Sequence, residues 1–505
     1  MTQSHSDVLV IGGGLMGAGV SRLLRDAHPT AAITIVDAGT PIGDVVGLHL
    51  HDTDDEELWS TYNSRVSAGV QALYMGANTT PDIGGTVVGA TPGMYHLGSF
   101  GADAAELPAS AIAWNAGGMG IHWTAATPTP YGVEVFDFGD VAQWSDDLAT
   151  AQRLLHVEAD PYGPSPARDT VITALNDVFG PVSDPGRAVQ PMPMAVSPAG
   201  GGRMLRTGPS RIFPPIAYGG DENLTVLVST VCVRILREGD RATGAVLRNT
   251  VTGAETTVTA DVVVVCADAV RSPQLLWASG IRPTALGMNL NEHAFLTGRV
   301  VADVDSLGID IAELRRPNEG EAFSASDWLP HSDARQPFQG QIMSSPIFGD
   351  GLSTITGYLV GLSWYVPTDT LEGNGLLFSD DALDPAGLPR LRTSFRYSDA
   401  DLARIRTGRD VQAEAGRRLG DFDQDRDSAV LAPGSSLHYT GTVRMGTHDD
   451  GTSVCDTDGR VWGTDNLFVA GNGVVPTPLT ANSTLAGMVT AVRAARAVAS
   501  SIGRP

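Results

Sequence analysis

The chain has no lysine. All 33 of its basic residues are arginine, a bias that the base composition of a genome explains as readily as adaptation to salt. Positive charge is scarce overall, and a formal net charge of −24 argues against nucleic acid or an anionic membrane as partner, because a polyphosphate surface would be repelled. Cysteine is nearly missing too. Cys232, Cys266 and Cys455 are odd in number and far apart, which fits a reducing compartment and matches no zinc-binding spacing, so no metal site is expected from them. No apolar run approaches the roughly 20 residues of a membrane-spanning helix. The first strand-like run begins too early to leave room for a signal peptide. These absences lead to the expectation of a soluble cytoplasmic protein. Glycine, by contrast, is plentiful. Its 59 residues, in a chain of 505 that is 42% hydrophobic, describe globular material with many tight turns and enough length for two or more domains.

The first segment that carries chemistry is "DVLVIGGGLMGAGVSRLLRDAHPTAAITIVDAG". Residues 7–11 are a short apolar run suited to a buried parallel strand, and Gly12, Gly14 and Gly17 follow with the spacing GxGxxG. Leu15, Val20, Leu23 and Leu24 then recur at near-helical intervals, and "AITIVDAG" supplies a second strand ending in Asp37. The order strand, glycine turn, helix, strand, acid is the dinucleotide fingerprint. In that reading Gly12 makes the turn, Gly14 lets a pyrophosphate reach the backbone, and Gly17 permits close helix–strand packing. The helix N-terminus supplies amide donors for the phosphates, and Asp37 accepts the ribose hydroxyls. The fingerprint alone does not choose between NAD and FAD.

The remaining strands of such a domain are not contiguous with it. "NLTVLVSTVCVRIL" (223–236) and "TTVTADVVVVCADAVRSPQLLWASG" (256–280) come far downstream, and "GTDNLFVAGNGVVP" (463–476) only near the C-terminus. The nucleotide domain is therefore expected to be discontinuous, built from 1–130, 205–299 and 426–505. Residues 131–204 and 300–425 form a second unit, with proline-rich stretches and β-like runs such as "STITGYLVGLSWYVP". The expected class is α/β (α+β overall), a Rossmann-type domain joined to a sheet-based one.

Four segments in this order resemble the glucose–methanol–choline (GMC) family of flavin oxidoreductases, and within it the pyranose 2-oxidase and glycoside 3-oxidase group. They are the N-terminal fingerprint, "WNAGGMGIHWTAATP" (114–128), the strand–helix run around 262–280, and the block from His438 to about Ala497. "NGLLFSDDALDPAGLPRLRTSFRYS" (374–398) also looks like that group's substrate-domain sheet. The resemblance implies FAD, a substrate-binding sheet lying over the flavin, and cofactor contacts from Gly118, Met119, His122, Thr124, Val231, Cys232, Ala267, Asn472 and Thr484. In the fungal pyranose oxidases the histidine matching His122 attaches FAD covalently and the threonine matching Thr124 approaches flavin N5. Gly120 and Ile121 depart from the fungal pattern there, so covalent and non-covalent binding both stay open.

The resemblance also assigns the late "SSLHYTGTVRMG" and "TPLTANSTLAG" segments: His438 matches the family's catalytic histidine and Asn482 its companion asparagine. Oxidising a secondary alcohol to a ketone removes a hydroxyl proton and sends a hydride to the flavin. Neutral imidazole, with an ordinary pKa of about 6.5, suits the proton. Asn482, or the serine after it, also stands where a helix should begin, and a helix N-terminus at the flavin would stabilise the anion formed on reduction. Gln341 is a candidate donor to a sugar hydroxyl. His49 and His51 in "HLHD" lack a third ligand nearby, so no metal is expected.

The function expected is oxidation of a sugar or glycoside at C3 or C2 with O2 as acceptor, giving H2O2. Fewer extra segments than in the fungal tetramers imply a smaller homo-oligomer and a wider entrance, which favours glycosides. A dehydrogenase passing electrons to a quinone or cytochrome and a nucleotide-binding protein without turnover are the competing readings. An NAD-linked reductase would leave the later flavin-type segments without purpose.

Overall fold

The computed structural model describes residues 4–67, 92–332, 336–349 and 354–502. Strand Ser4–Ile11 is buried at every position from Val8 to Ile11, as a run without polar alternation requires when both faces of a sheet are covered. It pairs in parallel with Ile33–Val36 on one side and with Glu255–Val265 on the other. Ile33–Val36 pairs in turn with Leu224–Leu227, also in parallel. Glu255–Val265 is long enough to serve two neighbours along one edge. Its first half pairs antiparallel with Arg241–Asn249, which continues to Thr230–Glu238, and its last three residues pair in parallel with Leu467–Val469. The result is a seven-stranded sheet drawn from three separated stretches of the chain.

The glycine turn closes this sheet onto its helix for steric reasons. Gly12 has φ +112°, and a Cβ there would lie 2.3 Å from the carbonyl oxygen of Cys266. At Gly17 a Cβ would lie 1.9 Å from the carbonyl oxygen of Gly12. Helix Leu15–Ala27 therefore sits directly against the strand ends, and its buried face meets the C-terminal helix Thr484–Ser501, where Gly19 abuts Met488.

A six-stranded sheet has its own core. Its order is Ser428–Val430, Ala294–Val301, Ile355–Val366, Gln339–Phe348, Ala325–Leu329 and Gln190–Pro191, and every pairing is antiparallel. Helices Pro166–Phe179 and Asp399–Leu419 pack on it, burying Val171, Leu175, Ile405 and Leu419 with Leu362 and Trp364. Ala294–Val301 straddles the boundary expected at 299, and Ser428–Val430 lies past the one expected at 425, yet both strands pair in this sheet. The segment 374–398 forms a separate two-stranded ladder, Gly375–Leu383 with Pro389–Ser394. Its Leu376, Leu388 and Leu391 enter the core of the seven-stranded sheet, so apolar burial draws it away from the six-stranded sheet, where it was expected. Among the described residues, no helix is long and apolar enough to cross a membrane.

Candidate active site

A cleft opens at the C-terminal ends of the parallel strands, where an open α/β sheet places its ligands. It contains about 1410 Å³ of empty space, the open solvent at its mouth included. Gly12, Gly14 and Asp37 line it from the fingerprint, Gly118 and Met119 from the following turn, and Val231, Cys232 and Ala267 from the downstream strands. A Cβ on Gly14 would meet nothing closer than the Gly117 carbonyl oxygen at 3.5 Å. This glycine is thus not demanded by packing, and it leaves a cradle in the backbone. The helix that begins there has neither a side-chain cap nor an acid in its first turn, so its leading amides are free to meet phosphate oxygens. Asp37 accepts hydrogen bonds from the amides of Gly13 (3.2 Å), Gly39 (2.9 Å) and Gly117 (3.0 Å); burial raises its pKa and these three bonds oppose the rise.

At the other end, Leu437 and Tyr439 line the cleft on either side of His438, and Thr484 lines it just past Asn482. The two predicted catalytic side chains, 44 residues apart in sequence, converge. Asn482 Nδ2 lies 3.5 Å from His438 Nε2. Burial and the neighbouring His293 hold His438 well below the ordinary histidine pKa, so the ring is neutral at neutral pH and able to accept a proton.

Family models described as GMC oxidoreductase match residues 205–295 and 375–491. A C-glycoside 3-oxidase of Microbacterium trichothecenolyticum is 36% identical, over 98% of this chain and 97% of that one. The chain belongs to the GMC oxidoreductase family. A pyranose 2-oxidase of Tricholoma matsutake is 26% identical, over 99% of this chain and 94% of that protein. The crystal structure of pyridoxine 4-oxidase from Mesorbium loti shares the fold, with a TM-score of 0.63 at 18% identity, covering 97% of this chain and 99% of that one.

Family membership implies a flavin cofactor, FAD, and the cleft of this GMC oxidoreductase fits one. The Gly14 cradle, the uncapped helix and Asp37 suit a diphosphate and a ribose. Asn472 and Thr484 line the far end. The C-terminal helix begins at Thr484 with Ser483 in the N-cap position, but the Ser483 hydroxyl accepts from Asn472 Nδ2 at 2.8 Å and caps nothing. Its leading amides therefore carry no side-chain cap, whereas either Asn482 or Ser483 had been expected to provide one.

Six of the predicted site residues do not line the cleft: Gly17, Gln341, His438, Asn482, His122 and Thr124. His122 is fully buried; its Nε2 is 2.8 Å from Asn115 Oδ1, and burial lowers its pKa to about 3. The short helical turn Gly118–Ile121 presents Gly118, Met119 and Gly120 to the cleft, while His122, which follows it, is not among the lining residues. Thr124 is half-buried and likewise does not line it. Cys232 borders the cleft, but burial pushes its thiol up to about 12, which leaves it no nucleophilic role. His49 and His51 are spent on protein contacts. His49 Nε2 meets the Trp123 carbonyl oxygen at 2.8 Å, and His51 sits between Asp52 (2.7 Å) and Glu321 (2.9 Å), which Arg206 pairs in turn.

The structure adds residues that sequence reasoning passed over. His293 Nε2 is 2.8 Å from His438 Nδ1. Gln339 Nε2 donates to Asn482 Oδ1 at 3.1 Å and its Oε1 accepts from Trp328 Nε1 at 3.2 Å. An indole N–H can only donate, so this pair turns the Asn482 amide nitrogen toward His438. The predicted Gln341 lies two residues further along the same strand face, where it accepts from the Tyr365 hydroxyl at 3.3 Å.

Buried carboxylates hold both loops. Glu292 accepts from Gly434 N (2.6 Å), Ser436 N (3.0 Å) and Ser436 Oγ (2.8 Å), just ahead of His438. Glu134 accepts from Thr480 N (2.7 Å) and Ala481 N (3.0 Å), just ahead of Asn482. The one visible hint of the first clamp is the pair Glu292–His293 set against an apolar strand-like run.

Gly14→Val is expected to give a folded protein that no longer retains flavin, because the added carbons occupy the cradle and not the core; copurified flavin read by absorbance, beside a far-UV spectrum, checks both halves. Glu292→Gln puts an NH2 in place of one of the two accepting oxygens and orphans at least one backbone donor, at about 1–3 kcal/mol. A lower unfolding midpoint, accompanied by slower flavin reduction as His438 loosens, is the expected result.

Proposed function

We propose that this protein oxidises a ring hydroxyl of a glycoside, at C3, to the ketone, with FAD as cofactor and O2 as electron acceptor. The observation that carries the reading is the convergence of His438 Nε2 and Asn482 Nδ2 beside a dinucleotide cleft that their neighbours Leu437, Tyr439 and Thr484 line. His438 Nε2 takes the hydroxyl proton of the substrate. Asn482 Nδ2 donates to the substrate oxygen and steadies it as its electron density rises. When bound, the flavin supplies the two-electron acceptor for the hydride. Exclusion of water by Tyr365 and Phe295, stacked with ring centroids 4.7 Å apart beside His438, keeps the imidazole neutral between turnovers.

Position and acceptor are supported by likeness. The relative named for C3 oxidation of C-glycosides is 36% identical, against 26% for the pyranose 2-oxidase, and both are named as oxidases. We infer that FAD is held without a covalent bond, since His122 is enclosed and does not line the cleft. Three free, buried cysteines accord with a cytoplasmic setting.

Anaerobic addition of an aryl or C-linked glucoside should bleach the flavin, and NMR of the product should place the carbonyl at C3; a C2 ketone made from free glucose alone would overturn the assignment. Oxygen uptake compared with quinone reduction separates oxidase from dehydrogenase. His438→Ala should stay yellow yet reduce its flavin about 10²–10⁴-fold more slowly. In the wild type the reduction rate should stay level as pH falls through the ordinary histidine value of about 6.5, because a depressed pKa keeps the base unprotonated at lower pH. Acid precipitation should release the yellow colour into the supernatant; colour retained by the polypeptide would refute non-covalent binding.

A further inference from the structure

A general base works only if its lone pair, and not its proton, faces the substrate. In a neutral imidazole that choice is made by whatever contacts the other nitrogen. For His438 the contact is a second histidine, and the direction of every proton can be followed from an end that has no choice. The Leu479 carbonyl oxygen can only accept, and it lies 3.0 Å from His293 Nδ1. His293 Nδ1 therefore bears a proton. Burial lowers the His293 pKa to about 4, so the ring carries that single proton and its Nε2 is a lone pair. That lone pair lies 2.8 Å from His438 Nδ1, which must then be the protonated nitrogen of His438. His438 Nε2 is left bare, facing the Asn482 amide.

Backbone geometry holds the two rings in register. Asn291 and Thr440 exchange both backbone hydrogen bonds, each 3.0 Å, as an antiparallel pair. Two residues on from Asn291 and two back from Thr440, His293 and His438 stand opposite one another, with ring centroids 4.9 Å apart. Tyr365 packs edge-on against His293 at 4.9 Å and is itself backed by Phe295, so the His293 ring is wedged in its orientation.

We propose that His293 is a positioning residue that holds the one proton of neutral His438 at Nδ1, so that Nε2 meets the substrate as an acceptor at each encounter. The inference rests on the reading of His438 as the base. Without the His293 acceptor, the Nδ1 proton has no buried partner, and the tautomer protonated at Nε2, which cannot accept, becomes populated.

The test uses the flavin-loaded enzyme and two measurements. In 15N-histidine-labelled protein, long-range 1H–15N correlation should show Nδ1 protonated and Nε2 bare for both His293 and His438, with signals assigned by their loss in His438→Ala and His293→Phe. In stopped-flow anaerobic reduction, His293→Phe should be slower by about 10–100-fold, part of the about 10²–10⁴ that a positioned base is worth. His293→Gln, whose Oε1 can accept from His438 Nδ1, should recover most of the rate; a merely space-filling role would not be rescued this way. A wild-type spectrum with His438, assigned through whichever variant folds, protonated at Nε2 would overturn the proposal, and so would a His293→Phe enzyme that reduces at the wild-type rate. Should His438→Ala itself reduce normally, it is the reading of His438 as base that fails.

Discussion

Two carboxylates taken out of water hold the loops ahead of His438 and Asn482 in place. Glu292 and Glu134 are almost fully enclosed, and each spends its oxygens on backbone amides of an irregular loop. A buried backbone N–H without an acceptor is costly, and a buried carboxylate without donors more so, so each satisfies the other only in one loop conformation. The loop ahead of His438 needs this support, because Leu437 adopts φ +57°, a conformation that a branched side chain rarely takes without surrounding constraint. Burial raises Glu292 to about 7, while its three hydrogen bonds pull in the other direction.

The six-stranded sheet completes what these clamps begin. Trp328, Gln339 and Tyr365 come from three of its strands, and His293 from the residue just before a fourth. His438 and Asn482 come from loops that lead into the C-terminal part of the seven-stranded unit. Each layer thus contributes something the other lacks: one brings His438 and Asn482 together beside the cleft, and the other supplies the side chains that contact the far atoms of each. Uncharged partners surround the histidine pair, and the low polarity that keeps His438 neutral also strengthens the hydrogen bonds that orient it.

Much of the cofactor half was legible along the chain because its signals are local. Gly12 and Gly17 follow from sterics within one turn, and Asp37 from its place at the end of the next strand. Gly14 has room around it for the reason the fingerprint supplies. His438 and Asn482 were found through family likeness, since a lone histidine before a Gly/Thr turn has no chemistry readable from its neighbours. Gln341 and Gln339 are indistinguishable in sequence, both on one face of one strand, and only packing decides which reaches Asn482. His122 sits in a motif that points it toward flavin, yet the turn before it carries the ring to Asn115.

The sequence by itself determined the dinucleotide fold, its interrupted layout and the identity of the pair that converges beside the cleft, because glycine spacing, apolar runs and motif order are properties of adjacent residues. Tertiary structure alone decided the polarity of that pair. A histidine proton and an amide orientation are set by contacts, here from His293, 145 residues before His438, and from Gln339, 143 residues before Asn482. Neither partner leaves a periodic or local trace in the chain, since the hydrogen bonds that define them exist only once the two sheets are packed together.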